Sequence, residues 1–149
     1  MHNTIRTTAF LLLTACLLSS CTSSRQCAPE DAYRIEYFTG GGFTGFEQGT
    51  TLECSGRLIF WERRPGSGQQ IKDSLLLHST DRKKFDTLMN DSSLFTYAKQ
   101  ESGNLTTTLI LSKGGKTTRV AWPTSSALPA DLPASMQAII TEITSVHKK

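Results

Sequence analysis

The sequence predicts an α+β domain, with an antiparallel sheet of about six strands in the order β-β-β-β-α-β-β-α and two helices packed on one face. Three observations support this fold. Side chains alternate with a period of two early in the chain, two later segments have apolar residues at helical spacing, and turns rich in glycine or proline separate the strands. A length of 149 residues, 38% hydrophobic and 19% charged, is typical of one globular domain.

The first twenty residues differ from the rest in composition. Arg6 is followed by an uncharged, mostly apolar stretch over residues 9–18. About ten apolar residues are the length of the hydrophobic part of a secretory signal, and about half of what spans a bilayer. We therefore expect residues 1–20 to be a signal peptide and not a membrane span.

The end of this stretch, Leu18-Ser19-Ser20-Cys21, resembles the lipobox of bacterial lipoproteins, in which the cysteine becomes the mature N-terminus. An earlier match ends at Cys16, but cleavage there would shorten the apolar stretch and leave two exposed leucines, so Cys21 is preferred. The resemblance implies palmitate-type acyl chains on Cys21 that hold the protein to a membrane, facing the periplasm. Because Thr22 and not aspartate follows, it also implies the outer membrane.

Two other cysteines, Cys27 and Cys54, remain in the mature chain. In the oxidising cell envelope such a pair predicts one disulfide. Two separate thiols remain an alternative, because the sequence does not give the distance between them. We expect residues 21–32 to form the lipidated N-terminus and a tether, and residues 33–149 to form the single domain.

The first half of this domain has the pattern of four strands. Residues 33–38 alternate between two sets of side chains, with Tyr33, Ile35 and Tyr37 in one set, which indicates a strand with two different faces. Ser55-Gly56 and a loop rich in proline and glycine separate the segments that follow. The further strands are predicted over residues 46–54, 57–62 and 70–78.

Residues 79–89 have the pattern of a short amphipathic helix. Ser79 is the predicted N-cap, and Asp81 lies in the first turn, where a negative charge is favourable. Phe85, Leu88 and Met89 share one face of this helix. The polar run over residues 90–93 is predicted to end it.

A hairpin and a second helix complete the predicted fold. Residues 105–112 and 117–122 form strands joined by Lys113-Gly114-Gly115-Lys116, whose central glycines suit the positive φ angles of a two-residue turn. Pro133 is suited to the first turn of the last helix. The apolar stripe of that helix consists of Leu132, Met136, Ile139, Ile140 and Ile143.

The segment Thr39-Gly40-Gly41-Gly42-Phe43-Thr44-Gly45 has glycines at the spacing G-x-G-x-x-G. A dinucleotide site needs such glycines before a helix, whereas a strand pattern follows here, and Phe46 stands where a phosphate-binding loop has lysine. We therefore interpret the segment as a tight connection with positive φ angles. Phe43 is either displayed at the surface or packed in the core under the turn, and the sequence leaves both open.

Gly41, Gly42, Phe43 and Gly45 follow a first strand and precede more sheet, a mid-chain helix and a C-terminal helix after prolines. This arrangement resembles emfourin, a proteinaceous inhibitor of thermolysin-like metalloproteases. The resemblance implies inhibition of a protease through this region. The candidate binding loop consists of Gly40, Gly41, Gly42, Phe43, Thr44 and Gly45, whose exposed backbone we expect to pair with an extended peptide.

Residues suited to catalysis or metal binding are scarce. His78 and His147 are the only histidines after the signal peptide, and neither has a second ligand at metal-binding spacing, so we expect no metal and no cofactor. A formal net charge of +3 is too small to indicate a nucleic-acid partner. Two basic runs, Arg63-Arg64 and Arg82-Lys83-Lys84, are interpreted as solvated, with contact to anionic lipid headgroups as the alternative.

These features predict a non-enzymatic protein-binding module that acyl chains anchor to the membrane, with a protease or another envelope protein as its partner. Two alternatives remain open. The protein could be a structural component of the envelope, or a small hydrolase that uses His78 and a neighbouring carboxylate.

Overall fold

The alternating segments of the chain form a single sheet of seven strands. The computed structural model describes residues 27–146, so the predictions for the signal peptide, Cys21 and His147 lie outside the described residues. The strands are β1 (Tyr33–Gly41), β2 (Phe46–Glu53), β3 (Arg57–Arg63), β4 (Gln70–Leu76), β5 (Lys99–Gln100), β6 (Leu105–Lys113) and β7 (Lys116–Pro123).

Strand order in the sheet is β4-β3-β2-β1-β6-β7-β5. All neighbouring strands are antiparallel except β5 and β7. The order places β1 in the interior of the sheet, between β2 and β6. The expected two-residue turn between β6 and β7 is confirmed, since Gly114 and Gly115 have φ angles of 55° and 76°. The sheet is therefore mostly antiparallel, as the sequence predicts.

The expectation of about six strands is wrong by one short strand. β5 has only two residues, Lys99 and Gln100, which pair in parallel with Val120 and Ala121 of β7. Two residues are too few to show an alternating pattern, and the strand forms because a neighbouring edge is available. It becomes one edge of the sheet, while β4 forms the other.

Within the described part of the chain, two α-helices accompany the sheet, α1 (Ser79–Leu88) and α2 (Ala134–Val146). The N-cap of α1 is His78 and not Ser79, and no side chain caps this end. After α1 a short 3₁₀ helix, Ser92–Phe95, continues part of the predicted polar run. Asp91 begins this turn, because its carboxylate accepts a hydrogen bond from the Ser93 N–H at 2.9 Å.

The core lies between both helices and one face of the sheet, which we call the helix face. Register places Ile35 opposite Leu52 and Leu111, and the same face continues across β3 and β7. Both helices add side chains to the one buried cluster. Its fully buried members include Ile35, Leu52, Leu58, Phe85, Met89, Leu109, Leu111, Val120, Met136, Ile139 and Ile143.

The opposite face carries a small aromatic cluster, and no helix among residues 27–146 covers it. Trp61 is only 4% exposed, and its ring centroid lies 5.5 Å from that of Phe38. The indole N–H of Trp61 donates to Thr51 Oγ1 at 3.0 Å, and the Arg63 guanidinium lies 6.0 Å from the indole centroid. Trp61 is thus covered by its own chain.

The two ends of the sheet differ in what they carry. At one end, the predicted disulfide joins Cys27 to Cys54, directly after β2, with 6.2 Å between the Cα atoms. The β2–β3 and β6–β7 turns lie at this end, which we call the bridge end. The opposite end carries the β1–β2 and β3–β4 connections, and we call it the loop end. Within residues 27–146, no helix is both long and apolar enough to cross a membrane.

Candidate functional site

The glycine segment forms the connection between β1 and β2 at the loop end. Gly41, Gly42 and Gly45 have φ angles of 106°, 67° and 58°, which residues with side chains rarely adopt. The Gly45 N–H donates to the Gly42 carbonyl at 3.3 Å and closes the turn. Phe43 is at the tip and fully exposed, so of the two interpretations of this residue the structure shows the surface one.

Neighbouring residues restrict the loop on two sides. A Cβ atom on Gly45 would come within 2.8 Å of Pro65 Cγ, which places the β3–β4 connection directly against the loop. On the other side, a Cβ atom on Gly41 would lie 3.1 Å from the Asn104 carbonyl oxygen. The loop is held between these contacts, and Phe43 projects beyond them.

A second exposed apolar side chain lies beside the loop. Leu105 begins β6 opposite Gly41 and is half exposed. One of its methyl carbons would be 3.5 Å from a Cβ atom on Gly42. Phe43 and Leu105 are therefore two exposed apolar side chains at the loop end.

The backbone before the loop tip is already paired on both sides. Gly40 and Gly41 are in register with Glu47 and Phe46 of β2, and also with Thr106 and Leu105 of β6. An added strand has no free edge at these two glycines. A partner would instead contact the tip, from Gly42 to Gly45, and the Phe43 side chain.

A cavity of about 430 Å³ opens on the helix face beside the base of the loop. Tyr37 and Phe60 form apolar walls, and burial raises the pKa of the Tyr37 phenol. Thr50 lines the cavity too, and its buried hydroxyl has no hydrogen-bond partner among residues 27–146. Glu62 and Lys72 form an ion pair of 2.8 Å in the lining.

The cavity is not evident from the amino-acid sequence. Its walls come from four strands and the end of α2, where Ile143 and Thr144 contribute. Polar residues at core-facing positions of β1 and β2 were the one indication of this cavity in the sequence. They are Thr39, Gln48 and Thr50. Such residues indicate that the core is not sealed at this point.

The residues considered for catalysis do not come together. His78 is exposed at the start of α1, and within residues 27–146 no side chain is hydrogen-bonded to its imidazole. The described part of the chain also has no group of three histidine, cysteine, aspartate or glutamate residues that could hold a metal ion.

Several carboxylates and basic residues of the sheet and α1 instead form ion pairs. Glu47 pairs with Arg63 across β2 and β3, and the Arg63 Nε–H donates to the carboxylate at 2.7 Å. Lys84 lies 3.3 Å from the Glu142 carboxylate and so connects the two helices. Exposed pairs of this kind are typical of solvated surfaces and contribute little to stability.

Compared with known proteins, the chain matches no protein-family model and none of the curated sequences.

Proposed function

We propose that this protein is a membrane-anchored bacterial envelope lipoprotein that binds another protein through the loop end and does not itself catalyse a reaction. The observation that carries the proposal is the position of Phe43. Its side chain is fully exposed at the tip of a loop that two paired strands and two neighbouring connections hold in place. Burial of a phenylalanine side chain in a partner would contribute roughly 2–3 kcal/mol.

The position of the loop favours a protein and not a lipid as the partner. Acyl chains on Cys21 would lie next to the bridge end, because Cys27 is attached there. β1 has 9 residues and therefore separates the two ends by about 26 Å. Phe43 would accordingly face the periplasm, where proteins are the available partners.

The anchor is tested by labelling cells with a palmitate analogue. We expect label on the wild-type protein and none on the Cys21→Ser variant, which should leave the envelope fraction. Cys27→Ser is the matched control, because it removes a cysteine that is not acylated. Unlabelled wild-type protein would contradict the anchor.

The contact surface is tested by placing a photo-crosslinking phenylalanine analogue at Phe43 in the full lipoprotein and irradiating intact cells. We expect a discrete protein adduct at this position. The same analogue at Ile71, an exposed apolar residue of β4, should give none. Equal adducts at both positions, or no adduct at Phe43, would contradict recognition through the loop.

Protease inhibition is the sharper form of the proposal, and the resemblance of Gly41, Gly42, Phe43 and Gly45 to emfourin supports it. The soluble protein from Thr22 onward is assayed against thermolysin-like metalloproteases. Inhibition would be supported if the wild-type protein slows substrate cleavage by the protease and the Phe43→Ala variant does not. If a high molar excess of the protein does not slow the protease, inhibition is ruled out. The wider proposal of protein binding would then be tested by the crosslinking experiment alone.

A further inference from the structure

The bridge end of the sheet has exposed apolar residues that are separate from those of the loop end. Leu75 and Leu76, the last two residues of β4, are 39% and 72% exposed. Because successive residues of a strand point to opposite faces, the two leucines cover both sides of one corner of the sheet. We call this the β4 corner.

This corner is close to the point where the chain enters the described domain. Leu76 is opposite Arg57 of β3, and the Leu77 N–H donates to the Gly56 carbonyl in the β2–β3 turn. Cys54 precedes this turn, so the bridged cysteine and the β4 corner are separated by about two strand spacings, roughly 10 Å.

We propose that the β4 corner rests on the lipid bilayer, with Leu75 and Leu76 in the headgroup region. The inference depends on the proposed acylation of Cys21. Cys27 is only six positions after Cys21, and the chain between them spans at most about 21 Å when extended. The disulfide then fixes this short tether to the sheet beside the corner, which keeps Cys27 within about 21 Å of the acylated cysteine.

Charge at the bridge end suits an anionic lipid surface. Arg57 and Lys116 are exposed, and within residues 27–146 neither has an ion-pair partner. Glu53 and Asp31 at the same end oppose this attraction, so the apolar contact of the leucines is the main contribution and the cations select anionic headgroups.

The experiment uses the full lipoprotein reconstituted in vesicles of phosphatidylethanolamine and phosphatidylglycerol. A lipid-partitioning aryl diazirine is photolysed, and labelled tryptic peptides are quantified by mass spectrometry. Residues 73–82 contain Leu75 and Leu76, whereas residues 64–72 contain Ile71 on the same strand, 61% exposed and nearer the loop end. We expect several times more label in residues 73–82 than in residues 64–72.

A Leu75→Ser/Leu76→Ser variant should keep its acyl chains and lose this excess label. Equal label in the two peptides, or more label in residues 64–72 than in residues 73–82, would overturn the orientation. The intact mass of the purified protein is measured first. A mass without acyl chains would overturn both the anchor and the orientation, whereas an acylated protein without excess label would overturn the orientation alone.

Discussion

Gly49 shows how a single residue allows a sheet face without a helix to bury two aromatic rings. It lies between Phe38 on β1 and Trp61 on β3, directly opposite both. Since glycine has no side chain, the Phe38 side chain occupies the space above it and reaches Trp61. The cluster on this face therefore depends on an absent Cβ atom.

We expect Gly49→Ala to destabilise the protein by about 1–3 kcal/mol, because the new Cβ atom would clash with the Phe38 Cβ atom and the Tyr37 carbonyl oxygen. Urea unfolding measures the change. Gly68→Ala is the control, since no atom lies within 4 Å of its Cβ position, and should alter stability by less than about 0.5 kcal/mol. Equal effects of the two substitutions would show that the close packing is unimportant.

Phe43 and Phe85 provide a second comparison at the level of single residues. Phe43 is fully exposed, so Phe43→Ala should change the free energy of unfolding by less than about 0.5 kcal/mol. Phe85 is 1% exposed in the core, and Phe85→Ala should cost about 3–5 kcal/mol. A marked loss of stability in Phe43→Ala would indicate that the loop packs in solution and would weaken its role in recognition.

Among the larger elements, the disulfide closes a long loop that contains all of β1 and β2. Its cysteines are separated by 27 positions in the sequence. In the chain-entropy treatment, closure of such a loop stabilises the folded state by about 3.5 kcal/mol. We expect reduction to lower the urea midpoint correspondingly, with the Cys27→Ser/Cys54→Ser variant insensitive to reductant. An unchanged midpoint on reduction of the wild type would contradict this.

Asp91, between α1 and the 3₁₀ helix, predicts that the stability of the protein depends on pH. The Asp91 carboxylate accepts hydrogen bonds from the Ser135 hydroxyl at 2.6 Å and from the Ser93 N–H at 2.9 Å, which lower its pKa. Because the pKa of Asp91 is lower in the folded than in the unfolded protein, the ionised carboxylate stabilises the fold at neutral pH. This stabilisation is lost as the pH falls through the folded pKa.

Asp91→Asn removes the titrating group at this link. The difference in unfolding free energy between wild type and variant should shrink as the pH falls from about 6 to about 3, a range that includes the ordinary aspartate pKa of about 3.9. Urea unfolding across this range, with an exposed control such as Asp73→Asn, measures the difference. A constant difference would mean that the carboxylate contributes no proton-linked stability.

Long elements with a regular pattern were predictable from sequence, and features built from distant residues were not. The β6–β7 hairpin has an alternating pattern and a Gly-Gly turn, and α2 has a full apolar stripe, so both are evident locally. β5 has two residues and depends on a neighbouring edge. The cavity needs the sheet register and the packing of α2 before Tyr37 and Ile143 are neighbours.

The candidate loop was predictable in part for the same reason. Glycines in succession indicate unusual backbone angles from sequence alone, and the structure has them. Whether Phe43 is exposed depends instead on Pro65 and Asn104, which are distant in sequence and occupy the space on either side of the loop. No local pattern around Phe43 contains that information.

At the scale of the whole molecule, the features proposed for anchoring and for recognition lie at the two ends of one sheet. The bridge end carries Cys27, Cys54 and the β4 corner, while the loop end carries Phe43, Leu105 and the cavity. The sheet connects them as a stiff spacer, since every strand except β5 runs between these ends. An anchor at one end would therefore present the recognition loop at a set height.

The irregularity in the β3–β4 ladder would matter if acyl chains confine the protein to a membrane surface, as proposed. Register shifts between Phe60 and Trp61, so that Lys72, whose side chain pairs with Glu62, has no Cα partner on β3 in the middle of the edge strand β4. Neighbouring copies crowded in two dimensions meet far more often than molecules free in solution, and a flat outer strand would let their sheets merge into ribbons. The irregular edge strand β4, with a lysine at its centre, disfavours such polymerisation. Each anchored copy would then remain free to diffuse laterally in the membrane.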